Sequence, residues 1–130
     1  MAVGLLIIGH DGIGPALLGT ARLLVGSDPL PAKLLNAERD TDPDELAEQV
    51  RELLDELDAG EGVLVLADLA GSTPCNVASR QAGLRRVRVV GGLNLPMLIN
   101  VMNYPGLPLD ELAGKALEGG RAGVTGVESR

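Results

Sequence analysis

The sequence contains neither Phe nor Trp, and Tyr104 is its single aromatic residue. Stacking of bases or sugar rings on aromatic faces therefore has almost nothing to rest on. Basic residues are scarce as well: Lys plus Arg number 11 against 18 Asp plus Glu, a net charge of −7. That balance argues against a broad cationic surface for nucleic acid or anionic lipid and suits an acidic carrier that meets a basic partner. With one cysteine, Cys75, and one histidine, His10, the chain can form no internal disulfide and no His/Cys zinc cluster. Neither a metal nor a cofactor is expected. The longest apolar runs, Leu5 to Ile8 and Val63 to Ala67, fall far short of the roughly 18–20 residues that span a bilayer. No basic region precedes the first of them, so a signal peptide is not expected and the setting is read as cytoplasmic, with any membrane link indirect.

What is present is one domain's worth of chain, residues 1–130, with a Leu, Val, Ile and Ala core in a composition that is 45% hydrophobic. Ala2 to Gly9 is a continuous apolar run ending in glycine, as suits a strand covered on both faces. A turn follows at His10 to Gly14, and Leu17, Leu18, Ala21, Leu24 and Val25 recur at helical spacing from Pro15 onward. Pro31 to Asn36 reads as a shorter strand. Asp42-Pro43-Asp44-Glu45 opens a helix with a cap, a first-turn proline and acids favoured by the helix dipole, and this helix ends near Gly60. Gly62 to Asp68 and Val87 to Gly91 are further strands, separated by a helix that follows Gly71-Ser72-Thr73-Pro74 and runs to about Ala82. Leu95–Asn103 and Leu109–Leu117 read as helices, and Gly123 to Val127 as a short last strand.

Alternating strands and helices predict an α/β fold with a mostly parallel, doubly wound sheet and helices on both faces. Right-handed crossovers and short connections favour strand order 2-1-3-4, with the last segment at an edge or lent to a second subunit. In that order a crevice opens at the carboxyl ends of the first and third strands, where His10 and Asp68 fall on adjacent strand ends.

Alone, His10 reads as an ordinary turn imidazole and Asp68 as a loop-capping acid. Side by side, they offer a carboxylate that holds one ring nitrogen and frees the other as a nucleophile able to take a phosphoryl group. Gly71, Ser72 and Thr73, with Pro74 at the first helical position, bring backbone N–H groups to the same crevice and are the candidate phosphate-binding residues. The plainer reading makes Thr73 an N-cap, a role compatible with the other. Gly9, Gly12 and Gly14 do not follow the dinucleotide order G-x-G-x-x-G, and no G-x-x-x-x-G-K-[ST] is present. Phosphate, if handled, arrives already activated. Cys75 follows Pro74 near a helix N-terminus, which leaves a Cys75/His10 thiol hydrolase as a minor alternative beside a simply buried thiol.

Gly9-His10, DLAGSTPCNVASR at 68–80 and GGLNLPMLINVM at 91–102 together resemble the mannose-type IIA component of the bacterial phosphoenolpyruvate-dependent sugar phosphotransferase system. The resemblance covers nearly the whole chain. It implies a flavodoxin-like sheet and a homodimer that exchanges the last strand. It also implies that His10 accepts a phosphoryl group on Nε2 from an HPr-type phosphocarrier and passes it to a IIB component, with Asp68 on Nδ1 and Thr73 supplying a site hydroxyl. Leu69, Ala70 and Cys75 stand where transporting members often carry bulkier or aromatic residues, which bears on the partner surface. The alternative within the resemblance is an orphan regulatory IIA that signals its phosphorylation state to a regulator.

Overall fold

A computed structural model describes residues 2–38 and 40–128. Its element order is β1 (Gly4–His10), α1 (Ile13–Val25), β2 (Ala32–Ala37), α2 (Pro43–Leu57), β3 (Val63–Ala67), α3 (Thr73–Ala82), β4 (Val87–Gly91), α4 (Leu95–Met102) and α5 (Leu109–Ala122). The four strands form one sheet in the expected order β2-β1-β3-β4, and every pairing is parallel.

Strand alternation divides the core in two. Leu5, Ile7, Leu64 and Leu66 pack with Leu18 and Ala21 of α1 and with apolar residues of α4 and α5. Leu6, Ile8, Val63 and Val65 pack with Leu46, Val50, Leu54 and Leu57 of α2 and with Val77 and Ala78 of α3. The central strands are thus buried on both faces, which is why they read as unbroken apolar runs rather than alternating ones. Each fully buried Leu, Ile or Val side chain stabilises the fold by about 1.5–3 kcal/mol.

Capping fixes where the helices begin. Asp42 accepts from the Asp44 N–H and Asn94 from the Met97 N–H, while Pro43 and Pro96 occupy first-turn positions where no donor is needed. The first helix starts earlier than its proline implies: α1 begins at Ile13, so Pro15 lies inside the first turn, where its missing N–H is equally harmless.

Within one chain, the C-terminal segment does not take the edge position open to a last strand. Gly123 to Val127 pairs with nothing in its own sheet, and α5 instead continues past Leu117 to Ala122. Gly119 and Gly120 lie inside this helix because α4 crosses close by. A side chain at Gly119 would collide with Asn100, and one at Gly120 would lie 2.7 Å from Met97 Cε. The Asn94 amide also donates to the Gly120 carbonyl at 3.1 Å, binding the two helices together. Tertiary packing therefore offsets the cost of glycine in a helix, about 1 kcal/mol each. Beyond the Gly123 cap, Val124 and Val127 are 78% and 93% exposed. Among the described residues, no helix is long and apolar enough to cross a membrane.

Candidate functional site

β1 and β3 run parallel in register, with Ile8 beside Ala67, and the Asp68 N–H donates to the Ile8 carbonyl at 3.0 Å. This last rung delivers Asp68 to the carboxyl end of β1. There its carboxylate receives the His10 main-chain N–H on Oδ2 at 2.9 Å, and His10 Nδ1 lies 2.9 Å from Oδ2 and 3.1 Å from Oδ1. An ionised carboxylate only accepts, so the neutral ring must carry its hydrogen on Nδ1. Nε2 then keeps its lone pair and has no protein partner among the described residues. The His10 side chain is 33% exposed and that of Asp68 10%, a reachable ring backed by a largely sheltered acid.

Burial pushes the Asp68 carboxyl up, but hydrogen bonds from the His10 ring and main-chain N–H, attraction to the ring in its protonated form and the Leu69 N–H outweigh it. The net effect holds Asp68 below the usual carboxylate range. Asp68 is therefore ionised near neutral pH and accepts from His10 as a carboxylate.

A cavity of about 430 Å³ opens beside the ring, lined by His10, Glu38, Thr41, Pro43, Leu46, Thr73 and Pro74. Of the expected phosphate-binding residues, Thr73 lines it with His10; Gly71 and Ser72 do not. Ser72, not Thr73, is the N-cap of α3: its hydroxyl donates to the Leu69 carbonyl at 2.7 Å and accepts from the Cys75 N–H at 3.4 Å. Thr73 is then the first helical residue and Pro74 the second, which frees the Thr73 hydroxyl from capping. Gly71 takes the left-handed conformation, φ 84°, that turns the chain into the helix, and its carbonyl accepts from the Asn76 side chain at 3.2 Å.

Cys75 is 6% exposed, packs in the core on the α2/α3 face and does not line the cavity. Glu38, Thr41, Pro43 and Leu46 belong to no motif, though strand order carries their signal. In a parallel sheet the connection after β2 must leave from the same edge as the one after β1. Among the described residues, no group of three or more His, Cys, Asp or Glu side chains is gathered that could hold a metal ion.

Comparison with known proteins identifies the family to which this fold belongs. The family model EIIA-man, described as PTS system fructose IIA component, matches residues 4–112. The mannose-specific EIIAB component of the phosphotransferase system of Escherichia coli (strain K12) is 32% identical over the whole chain. The chain spans only 41% of that relative's length. Among solved structures, the mannose/sorbose-specific IIA subunit from Enterococcus faecalis superposes with a TM-score of 0.88 at 31% identity, covering 100% of this chain and 98% of that one. The IIA protein associated with the fucose utilization operon of Streptococcus pneumoniae gives a TM-score of 0.72 at 30% identity, covering 91% of this chain and 93% of its own.

Proposed function

Because the chain belongs to the EIIA-man family of phosphotransferase-system IIA components, we propose that it is a phosphocarrier whose acceptor is His10 Nε2. The observation that carries this reading is the paired grip of Asp68 on His10 Nδ1 and main-chain N–H. Nε2 attacks the phosphorus of a phosphohistidine on an HPr-type donor. The donor's N–P bond breaks as the new one forms, and the donor ring keeps the electron pair. Phosphorylation leaves positive charge on the His10 ring, which keeps its hydrogen on Nδ1 and is stabilised by the ionised Asp68 that accepts it. The Thr73 hydroxyl, which lines the cavity with His10, and the Thr73 N–H at the start of α3 would donate to phosphoryl oxygens. Onward transfer to a IIB component, or to a regulator, reverses the same step from Nε2. In-line transfer between two imidazoles rests on positioning and charge stabilisation, and the scheme calls on no metal. Exposed Ile13 and Leu69, just beyond the strand ends that carry His10 and Asp68, provide apolar surface for a protein partner.

A homodimer belongs to the same reading. β4 is an edge strand with one free side, and the exposed segment after Gly123 would cover it if lent to a second copy. The thiol-hydrolase alternative finds no support, since Cys75 is buried away from the cavity.

Incubation with labelled phospho-HPr tests the proposal. Wild type takes up acid-labile label without ATP or magnesium, and His10→Ala takes up none. Label retained by His10→Ala, or label stable to mild acid, overturns the phosphohistidine mechanism.

A further inference from the structure

His10 is held by β3 on one side, and β2 reaches the same turn from the other. Register places Gly9 beside Asn36 and His10 beside Ala37. From the end of β2, Asn36 Oδ1 accepts the Gly12 N–H at 3.1 Å. Gly12 follows Asp11 in a turn where both residues have positive φ, 48° and 85°, the signs required at the two central positions of a type I′ turn. Gly12 also caps α1 without any side-chain hydrogen bond of its own. Past His10 itself, the turn into α1 thus has one side-chain anchor among the described residues, supplied by a neighbouring strand.

We propose that Asn36 is a positioning residue for phosphoryl transfer, its amide oxygen holding the His10–Gly12 turn so that the ring meets the incoming phosphorus in line. This rests on the phosphocarrier reading above. Asn36 is exposed, as is its bond to Gly12, so water can satisfy either group when the bond is lost. The bond therefore matters little to folding. Its effect lies in where the turn sits, because a glycine in the left-handed region otherwise has wide freedom. Asp68 fixes the ring at Nδ1 and the main chain at His10, while Asn36 fixes the main chain two residues later, and together they leave the imidazole little room to tilt.

The test compares Asn36→Ala and Asn36→Asp with wild type in labelled phosphoryl uptake, and follows hydrogen exchange of the Gly12 amide. Asn36→Ala should melt within a few degrees of wild type, exchange the Gly12 amide faster, and lose about tenfold in rate at saturating phospho-HPr, below the ~10²-fold a misplacement of 1 Å can cost. Half-saturation should move less than twofold, since the partner surface is untouched. Asn36→Asp keeps the acceptor oxygen and should recover Gly12 protection and most of the rate, even though its added charge repels an incoming phosphoryl group. Wild-type rate in Asn36→Ala, or a loss that Asn36→Asp does not recover, overturns the role of Asn36 while leaving His10 as acceptor. Absence of label on wild-type His10 overturns both readings.

Discussion

The Asp68 carboxylate, 58 positions from His10 in the chain, holds that residue through Nδ1 and through the main-chain N–H, each at 2.9 Å. One group therefore fixes both the tautomer of the ring and the position of the strand end that bears it. Asn at position 68 can still accept one of these bonds but cannot balance charge on a phosphorylated ring. Asp68→Asn should therefore fold, take label from phospho-HPr, and do so slower by on the order of 10²-fold, the scale of losing one preorganised electrostatic contact. Single-turnover uptake at saturating donor measures it. A variant as fast as wild type would remove Asp68 from the mechanism.

The same bonds make stability depend on pH with a definite sign. Asp68 is held below its ordinary carboxylate value in the folded protein, so above about pH 4 it is ionised whether the chain is folded or not and the bonds contribute in full. As pH falls further, the unfolded chain binds the proton first, and the contribution fades through the lower folded-state value. The stability gap between wild type and Asp68→Asn in urea should therefore narrow from about pH 5 toward pH 2. A gap that stays constant over that window would mean the carboxylate is not held as the geometry indicates.

Much of this site is legible in the sequence because parallel order is. Apolar runs ending at Gly9 and Asp68, with intervening helical spacings, are enough to put His10 and Asp68 on adjacent strand ends. The lost detail is of other kinds. Asn36 and Glu38 carry no motif, and their relevance arises only from where β2 ends. Ser72 and Thr73 are both good caps, and only the way the turn seats Ser72 against Leu69 decides between them. Gly119-Gly120 looks like a helix stop, yet contact with Asn100 and Met97 makes glycine the residue that fits there. The Gly123–Val127 segment has strand-like residues but no partner in its own sheet.

A glycine on the neighbouring strand should prove as necessary to the site as its charged groups. A Cβ at Gly91 would lie 2.7 Å from Ala70 Cβ and 3.0 Å from Ala70 Cα, so the loop after Asp68 rests directly on β4. Gly91→Val must push that loop away or distort the strand, with a cost of about 1–3 kcal/mol for overpacking. Phosphoryl uptake should fall more than urea stability alone explains, because Asp68 begins the displaced loop. Uptake unchanged in a folded Gly91→Val protein would mean that the loop and Asp68 move independently.

Cys75 supplies the opposite expectation. Its side chain packs beside Val77 and Ala78 against the sheet, so Cys75→Ser should cost about 1–3 kcal/mol through burial of a hydroxyl in an apolar site. Label uptake by the folded fraction should stay within twofold of wild type. Complete loss of uptake with the fold intact would return the thiol to consideration.

The segment after α5 carries the last prediction. Gly123 closes the helix through its N–H to the Gly119 carbonyl at 3.0 Å, so a chain ending at Gly123 keeps α5 whole while removing Val124 and Val127. In a single copy these valines are among the most exposed apolar residues described, and the free side of β4 offers Val87 to Gly91 as a ladder for them. Burying each valine contributes up to about 1.5–3 kcal/mol, and the exchange occurs twice in a symmetric pair, alongside the main-chain hydrogen bonds that the free side of β4 would gain. Light scattering should therefore give twice the chain mass for wild type and a monomer for the truncated chain, with hydrogen-exchange protection along β4 lost in the latter. His10 and Asp68 belong to one subunit, so the truncated chain should still take label from phospho-HPr, which separates the dimer from the chemistry. A wild-type monomer at micromolar concentration, or a truncated chain that stays dimeric, would rule out the exchanged strand.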